Sequence, residues 1–298
     1  AREMVESDWR DHILPALESF IRIPARSPAF DPDWAAQGHI DEAVALAEDW
    51  CRTHAPAGSH VEVIRLEGRT PVLWVDVPGT GAGEALLYGH LDKQPEASGW
   101  DADKGPWTPV VDGDRLYGRG AADDGYALFA SLEAIRLLDD QGVPHPRCML
   151  LIECAEESGS ADLPACIAHL GPRLGHPGLV VCLDSGCADY DRLWVTTSLR
   201  GMAAGDLRVK VLDQGVHSGD ASGVVPSSFR IARALLERLE DSATGDIRVP
   251  DLQASIPDER EAQAELAAQV VGEDLAGKFP WAQGTQPNSP STRTLILN

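Results

Sequence analysis

Four short groups of potential metal-ligand residues each follow an apolar segment of the sequence. The groups are His90-Leu91-Asp92, Asp123-Asp124, Glu156-Glu157 and Asp184. Imidazole nitrogens and carboxylate oxygens are common ligands of divalent cations such as zinc and manganese. Because ligands of α/β proteins collect beyond the carboxyl ends of the strands, we expect the four groups to meet at one sheet edge. The pattern therefore predicts a site for one or two divalent metal ions.

Each group also has an ordinary structural interpretation when it is taken alone. His90 could be a polar residue with its hydrogen bonds satisfied, and Glu156-Glu157 could be loop charge. Asp123-Asp124 could cap a helix and place an acidic residue in its first turn. Asp184 could be a turn residue. The occurrence of all four groups after apolar segments favours a metal site over four unrelated roles.

The spacing within the groups suggests how the roles could be divided. Asp92 follows His90 by two residues on the same face of a strand, where its carboxylate could hydrogen-bond the far ring nitrogen and fix the tautomer. The adjacent Glu156 and Glu157 project to opposite sides, so one could bind metal while the other faces a water. Asp123 could bridge two ions about 3.5–4 Å apart.

The elements that must position these groups alternate between helical and strand patterns as far as Asp184. The spacing predicts a first helix capped by Ser7, a second from about Ile40 to Cys51, and a third after Asp123. The predicted strands are 61–66, 72–77, 85–88, 149–152 and 179–183, with a further strand pair around 110–113. This order predicts an α/β domain with a largely parallel or mixed sheet.

The sequence changes character near Arg200. Strand-like segments at 193–199 and 207–212 precede a helix from Ser227 to Leu239. An Ala/Glu-rich helix and a terminal strand-like segment at 294–297 follow. The predicted organisation is a metal-binding domain over 1–199 and a smaller α+β domain over 200–298.

The Gly-rich segment 78–83 resembles a phosphate-binding loop only superficially. It has no Lys-Ser or Lys-Thr pair and no helix start behind it, so we predict a hairpin turn.

Composition argues against several classes of partner. Acidic residues number 47 and basic residues 25, for a formal net charge of −22, and such a surface repels nucleic acid and anionic lipid. The first residues do not have the pattern of a signal peptide, and no apolar run reaches the roughly 18 residues that a membrane span needs. The six cysteines include no C-x-x-C pair, which favours reduced thiols over a disulfide framework. We therefore expect a cytoplasmic protein without nucleic-acid or membrane partners.

Three motifs resemble those of a known family. They are Tyr88-Gly89-His90-Leu91-Asp92-Lys93-Gln94-Pro95, Leu116-Tyr117-Gly118-Arg119-Gly120-Ala121-Ala122-Asp123-Asp124-Gly125 and Glu156-Glu157-Ser158-Gly159-Ser160. Together they resemble the M20 family of zinc aminopeptidases, carboxypeptidases and deacylases, and look most like its carnosinase-like dipeptidase branch. The resemblance covers nearly the whole chain. It implies a catalytic domain with a mixed sheet and a smaller α+β lid and dimerisation domain.

The resemblance also implies roles for individual residues. His90 and Asp184 would hold one metal ion, Glu157 would hold the other, and Asp123 would bridge both. Zinc is the expected metal, and manganese and cobalt also suit these ligands. The Asp123–Asp124 peptide bond would be cis.

The remaining implied roles belong to proton transfer and substrate polarisation. Glu156 would be the general base, and Asp92 would orient His90. His217, in Val216-His217-Ser218-Gly219, resembles the histidine that the lid domain contributes to the site of the partner subunit, where it polarises the scissile carbonyl. A homodimer through the second domain is therefore expected.

The sequence departs from the family pattern in two places. Gly125-Tyr126 stands where this branch usually has Lys-Gly. The family's last metal ligand is a histidine after the lid, and this sequence has no histidine after His217. We therefore expect the chain to be the first part of such a protein, ending within the lid, with one metal position more complete than the other.

The function expected from these residues is metal-dependent hydrolysis of the amide bond of a dipeptide or small peptide. An N-acyl amino acid deacylase with the same binuclear site is the alternative among enzymes. A peptide-binding fragment without activity is the alternative outside them. The presence of Glu156 favours an enzyme, because a binding module would not need a base.

Overall fold

The structure is a computed structural model that describes residues 2–272 and 274–297. The chain divides into two compact units, Ala1–Gly186 and Cys187–Asn298. The division into functional domains at residues 199 and 200 stays a prediction.

The first unit is built on a mixed five-stranded sheet, as the alternating pattern predicted. The five strands are β1 His60–Ile64, β2 Val72–Val77, β3 Glu84–His90, β6 Arg147–Glu153 and β7 Leu179–Cys182. Their order in the sheet is β1-β2-β6-β3-β7, in which β2 is antiparallel to both β1 and β6, and β3 is parallel to both β6 and β7. A separate hairpin consists of β4 Val110–Asp112 and β5 Arg115–Tyr117.

Helices of the first unit lie between and around these strands. They are α1 Arg2–Asp8, α2 Leu14–Arg22, α3 Trp34–Gln37, α4 His39–His54, α5 Tyr126–Asp140 and α6 Leu163–Leu170. The predicted helix start at Ser7 is wrong, because α1 already includes Ser7 and a π-helical turn at Trp9–Ile13 carries the helix on into α2. A residue inside a helix has helical dihedral angles and cannot act as its N-cap.

Packing on the two faces of the sheet follows the alternation of side chains along the central strands. On one face α2, α4 and α5 cover residues such as Leu73 and Leu150. On the other face Leu170 of α6 packs with Trp74 and Met149. Because both faces are covered, β2 and β6 are apolar at nearly every position, and the polar groups collect beyond the strand ends.

The predicted hairpin at 78–83 is wrong, because the strands on its two sides are not neighbours. β6 lies between β2 and β3 in the sheet. The segment instead packs on the start of β6: Gly81 N donates to His145 O at 2.8 Å, and a Cβ at Gly79 would lie 2.2 Å from Pro146 O. Glycine is needed at position 79 because the two backbones approach so closely.

The second unit is helical among the residues that the structure describes. Its helices are α7 Ser218–Ala221, α8 Ser228–Leu236, α9 Asp258–Val271, α10 Asp274–Gly277 and α11 Thr292–Leu297. The predicted helices near 227–239 and after residue 253 correspond to α8 and α9. Ser227 caps α8 by accepting a hydrogen bond from Arg230 N at 3.3 Å.

Three strands predicted for the second unit are not formed. Segments 193–199 and 207–212 have no strand structure, and no described segment pairs with them to complete a backbone ladder. Their apolar side chains stay accessible, with Leu193 91% and Leu199 88% exposed. The segment 294–297 belongs to α11, where Arg293 reaches Glu261 of α9 at 2.9 Å and Thr292 donates to Gly272 O at 2.8 Å. Contacts with a neighbouring helix thus outweigh the strand-like run of side chains.

No disulfide joins the six cysteines, in agreement with the expectation of free thiols. Among the described residues, no helix combines the length and the apolar character that a membrane crossing would need.

Lys93 lies three residues after His90, the last residue of β3, and its side chain is fully buried. Its ammonium donates to the main-chain carbonyls of Phe20 at 2.7 Å and Ile23 at 2.8 Å, at the end of α2. Its side-chain carbons fill the space beside Gly120, where a Cβ would lie 2.7 Å from them. Lys93 therefore ties the loop after β3 both to α2 and to the segment that leads to Asp123.

We predict that Lys93 makes the stability of the protein depend on pH. Burial lowers the pKa of Lys93 to about 7, from 10.5 in the unfolded chain. Between these values the unfolded chain binds more protons, so the free energy of unfolding rises with pH, by up to about 1.4 kcal/mol per pH unit. Lys93→Met should reduce this rise between pH 7 and 10, as measured by urea unfolding at several pH values.

The control for this experiment is Lys210→Met, which removes an exposed lysine of the second unit. It should leave the pH dependence of unfolding as it is in the unaltered protein. An equal slope in Lys93→Met and the unaltered protein would contradict the proposed titration of Lys93.

Candidate metal site

Parallel strands bring three of the four predicted groups to one edge of the sheet. β3 ends at His90, and its parallel neighbours β6 and β7 end at Glu153 and Cys182. The chain then continues from β6 into the short turn Glu156–Ser158, and from β7 to Asp184. Because the carboxyl ends of parallel strands point the same way, the side chains that follow them meet.

The fourth group comes from the segment Ala121–Gly125, which connects β5 to α5. Asp123 and Asp124 lie in this segment, and the peptide bond between them is cis, as the family resemblance implied. α5 begins directly afterwards and packs on the sheet. Asp123 therefore lies at the same edge, because the helix that follows it is fixed in the core.

Carboxylates surround the imidazole of His90. Its Nε2 lies 3.2 Å from Oδ1 of Asp123, 3.7 Å from Oδ2 of Asp184 and 3.9 Å from Oε2 of Glu156. Two overlapping sets of side chains offer ligand atoms within 4.8 Å of one another. One set is His90, Glu156 and Asp184, and the other is His90, Asp123 and Glu157.

These sets bring together every residue for which a ligand or base role in the first unit was predicted. They place Glu156 with Asp184 and Glu157 with Asp123. Both glutamates lie within ligand reach of His90, so the choice of Glu156 as base and Glu157 as ligand stays a prediction.

Asp92 connects His90 to the two glutamates. His90 Nδ1 lies 3.0 Å from the main-chain oxygen of Asp92 and 3.5 Å from its Oδ1. The Asp92 carboxylate accepts hydrogen bonds from Glu156 N at 3.1 Å and Glu157 N at 3.0 Å. Asp92 thus contacts the imidazole chiefly through its main chain, and its fully buried carboxylate holds the backbone that carries both glutamates. The role of Asp92 in orienting His90 stays a prediction.

The crowding of acidic groups changes their protonation. Burial alone would lower the pKa of His90, but the carboxylates of Asp123 and Asp92 raise it to about 11. Burial raises the pKa of Glu157 to about 7 and that of Asp124 to about 8, and it also raises the pKa of Glu156. The imidazole of His90 lowers the pKa of Asp123. The raised pKa values of His90, Glu157 and Asp124 mean that these three groups hold a proton more tightly than they would in water.

The residues fit a divalent metal ion. Nε2 of His90 and Oε1 of Glu157 are buried, and neither has a hydrogen-bond partner among the described residues. A buried polar atom without a partner is costly, and a metal ion would supply one. Nitrogen and carboxylate oxygen donors together suit zinc, manganese or cobalt.

Several supporting residues were not predicted from the sequence. Gln94 donates to Oε2 of Glu157, and the buried Glu153 accepts hydrogen bonds from Tyr88 at 2.5 Å and Ser160 at 2.8 Å. Glu153 could have been recognised in the sequence, because it is a carboxylate at the end of the apolar run of β6.

His217 lies in the second unit, where its side chain is exposed. It precedes α7 and its Nδ1 accepts a hydrogen bond from Gly219 N at 3.2 Å. Its predicted role in a partner's site stays a prediction.

Comparison with known proteins identifies the family. Residues 86–255 match the Peptidase family M20/M25/M40, a span that includes all the residues of the cluster. The chain belongs to this family.

Among curated relatives, the human Beta-Ala-His dipeptidase is 33% identical over 57% of this chain and 34% of its own length. The rat Beta-Ala-His dipeptidase is 31% identical over 86% of this chain and 54% of its own length. The Cysteinylglycine-S-conjugate dipeptidase of Corynebacterium striatum is 31% identical over 57% of this chain and 37% of its own length. The chain thus spans between about a third and about half the length of these relatives.

Solved structures have the same fold. Human carnosine dipeptidase 1 superposes with a TM-score of 0.62 at 21% identity, over 97% of this chain and 62% of the other. An M20 family metallo-carboxypeptidase from Sulfolobus solfataricus gives 0.63 at 20% identity, over 96% of this chain and 62% of the other. The mixed-sheet fold that the motifs implied is therefore confirmed.

We predict that Asp92→Asn weakens metal binding by about 10- to 100-fold, the usual effect of changing a residue that orients a ligand. Glu156 N and Glu157 N donate to different oxygens of the Asp92 carboxylate, so in asparagine an NH2 group would face one of these two N–H donors and that bond would be lost. Zinc affinity should be measured by competition with a chromophoric chelator. Asp114→Asn, in the exposed turn between β4 and β5, is the control and should bind zinc as the unaltered protein does. Equal affinities in both variants would contradict the role of Asp92.

Proposed function

We propose that this chain carries the metal-binding part of a hydrolase that cleaves the amide bond of dipeptides or other small peptides. The observation that carries the proposal is the cluster in which Asp123, Glu156 and Asp184 lie within 3.2–3.9 Å of His90 Nε2. Family membership and the relatives named as dipeptidases support it.

His90 and Asp184 would hold one divalent ion, Glu157 the other, and Asp123 would bridge them. The chemistry that such ions supply when bound is Lewis acidity, which lowers the pKa of water and polarises a carbonyl oxygen. Zinc is the proposed metal, with manganese and cobalt as alternatives. The pairing of Asp123 and Glu157 in one ligand set supports their assignment to a shared position.

Glu156 would act as the general base. Its carboxylate would take a proton from the attacking water at an Oε atom and return it to the nitrogen of the leaving amine. Burial raises the pKa of Glu156. A carboxyl group whose pKa is closer to the working pH can both accept a proton and give it back during one turnover. Asp92 would keep the Glu156 backbone and the His90 ring in position throughout.

His217 would polarise the scissile carbonyl in the site of a partner subunit, within a homodimer formed through the second domain. The exposed position of His217 supports a role outside its own unit. The apolar side chains on and near α8 also support an interface, since Phe229 is 83% exposed and Leu236 and Leu239 are about half exposed.

A deacylase acting on N-acyl amino acids is the second candidate. The Succinyl-diaminopimelate desuccinylase of Gluconobacter oxydans is 36% identical over 39% of this chain and 35% of its own length. A panel of dipeptides and N-acyl amino acids, assayed with added zinc, manganese or cobalt, separates the two. Cleavage of acyl amino acids without cleavage of any dipeptide would favour the deacylase. Metal binding without turnover of any compound would favour a peptide-binding module.

We predict that Glu156→Gln lowers turnover by at least about 100-fold while bound metal stays near that of the unaltered protein, because loss of a general base costs this much. Glu157→Gln should instead reduce the bound metal, because it removes a ligand. Elemental analysis of the purified proteins and steady-state kinetics measure the two effects. The control is Glu67→Gln, in the exposed turn between β1 and β2. Full metal content and activity in both variants would show that the two roles are wrongly assigned.

We predict that mixing His217→Ala with Glu156→Gln restores part of the activity that each variant lacks alone. A mixed dimer would contain one site with both an intact Glu156 and a partner's intact His217. Subunits should be exchanged before assay, and mass analysis should verify that mixed dimers have formed. Mixed dimers as inactive as the two parents would count against a shared site.

A further inference from the structure

Asp184 lies two residues beyond the end of β7, which is an edge strand of the sheet. β7 pairs only with β3 among the described strands, and the paired register ends at Tyr88 and Cys182, two residues before Asp184. β7 is also poorly covered, since Leu179 and Val180 are both more than half exposed. His90, by contrast, is itself paired within the sheet. Contacts outside the sheet must therefore help to place Asp184.

Tyr126 makes such a contact. Its hydroxyl donates a hydrogen bond to the main-chain oxygen of Leu183, the residue directly before Asp184. The carbonyl of Leu183 and the nitrogen and Cα of Asp184 lie in one peptide plane. A bond that holds this oxygen therefore restricts the direction in which the chain leaves toward the Asp184 carboxylate.

Tyr126 is itself held firmly. It is the first residue of α5, its ring packs against the main hydrophobic cluster, and α5 extends for 15 residues across the sheet. Asp123 lies three residues earlier, so one helix start is tied to both Asp123 and the Asp184 segment. The geometry of these two ligands is thereby coupled.

The sequence at this position departs from the usual Lys-Gly of the dipeptidase branch, and the structure gives a physical reason for the pair. A Cβ at Gly125 would lie 2.3 Å from Cε1 of Phe20, so position 125 has no room for a side chain. Position 126 carries the tyrosine whose hydroxyl reaches Leu183. A glycine at position 126 could not make this bond.

We propose that Tyr126 is a positioning residue that holds Asp184 in place for metal binding by fixing the Leu183–Asp184 peptide from the start of α5. This inference rests on the proposed metal site. It predicts that the Tyr126 hydroxyl affects metal affinity only through Asp184.

The test is a double-mutant cycle on zinc affinity, measured by competition with a chromophoric chelator. Tyr126→Phe keeps the ring and removes the hydroxyl, and it should weaken zinc binding by about 10- to 100-fold. Asp184→Asn removes the ligand that Tyr126 is proposed to place. In the Asp184→Asn background, Tyr126→Phe should weaken binding further by less than about 2-fold, because residues acting through one contact are not additive.

Two results of the cycle would overturn the proposal. One is an unchanged zinc affinity in Tyr126→Phe. The other is an equal loss in both backgrounds, which would mean that Tyr126 acts on the fold in general. Tyr190→Phe, which alters an exposed tyrosine of the second unit, is the control and should bind zinc as the unaltered protein does.

Hydrogen exchange of the metal-free protein is an independent measurement. Tyr126→Phe should speed exchange of the backbone amides at 183–186 several-fold and leave β3 and β6 unchanged. If the unaltered protein binds no zinc, the proposed metal site fails, and hydrogen exchange alone decides whether Tyr126 orders this segment. Identical exchange at 183–186 in the two proteins would overturn the inference.

Discussion

Repulsion among carboxylates is the constraint around which this end of the sheet is organised. Asp123, Glu156 and Asp184 all lie within 3.2–3.9 Å of one buried imidazole nitrogen. Like charges so close together cannot all persist without compensation. Protons provide it in part, which is why the pKa of His90 rises to about 11 and that of Glu157 to about 7. Divalent cations would replace those protons, since metal binding requires deprotonated ligands.

The surrounding structure holds the loops of the site with three buried ionisable groups, two bonded to the main chain and one to side-chain hydroxyls. Asp92 accepts from the two glutamate amides, and Lys93 donates to carbonyls at the end of α2. Glu153 accepts from Tyr88 and Ser160 on either side of the glutamate turn. Removing one side of such a contact is costly, because it leaves a buried polar group without its partner.

The accuracy of the sequence predictions differs between the two units for a physical reason. In the first unit the central strands β2 and β6 are apolar runs that pair within the sheet and are covered on both faces, so the local pattern and the tertiary environment agree. In the second unit, 193–199 and 207–212 have strand-like composition but no described partner, and a strand needs a neighbour to satisfy its backbone. The segment 294–297 became helical because α9 offers it contacts. The hairpin predicted at 78–83 is wrong because β6 lies between β2 and β3 in the sheet, and the order of segments along the chain does not reveal this.

The sequence by itself determined which residue types could bind a metal, which apolar runs would carry them, and, through its motifs, the family. These are properties of short segments, and they can be recognised from each segment alone. Only the tertiary structure decided how the segments are held together. Three contacts join residues that are far apart in sequence. The Asp92 carboxylate accepts hydrogen bonds from two glutamate amides, Lys93 donates to main-chain carbonyls of α2, and Tyr126 donates to Leu183. Such contacts depend on the strand order and on the helix packing, and local spacing contains neither.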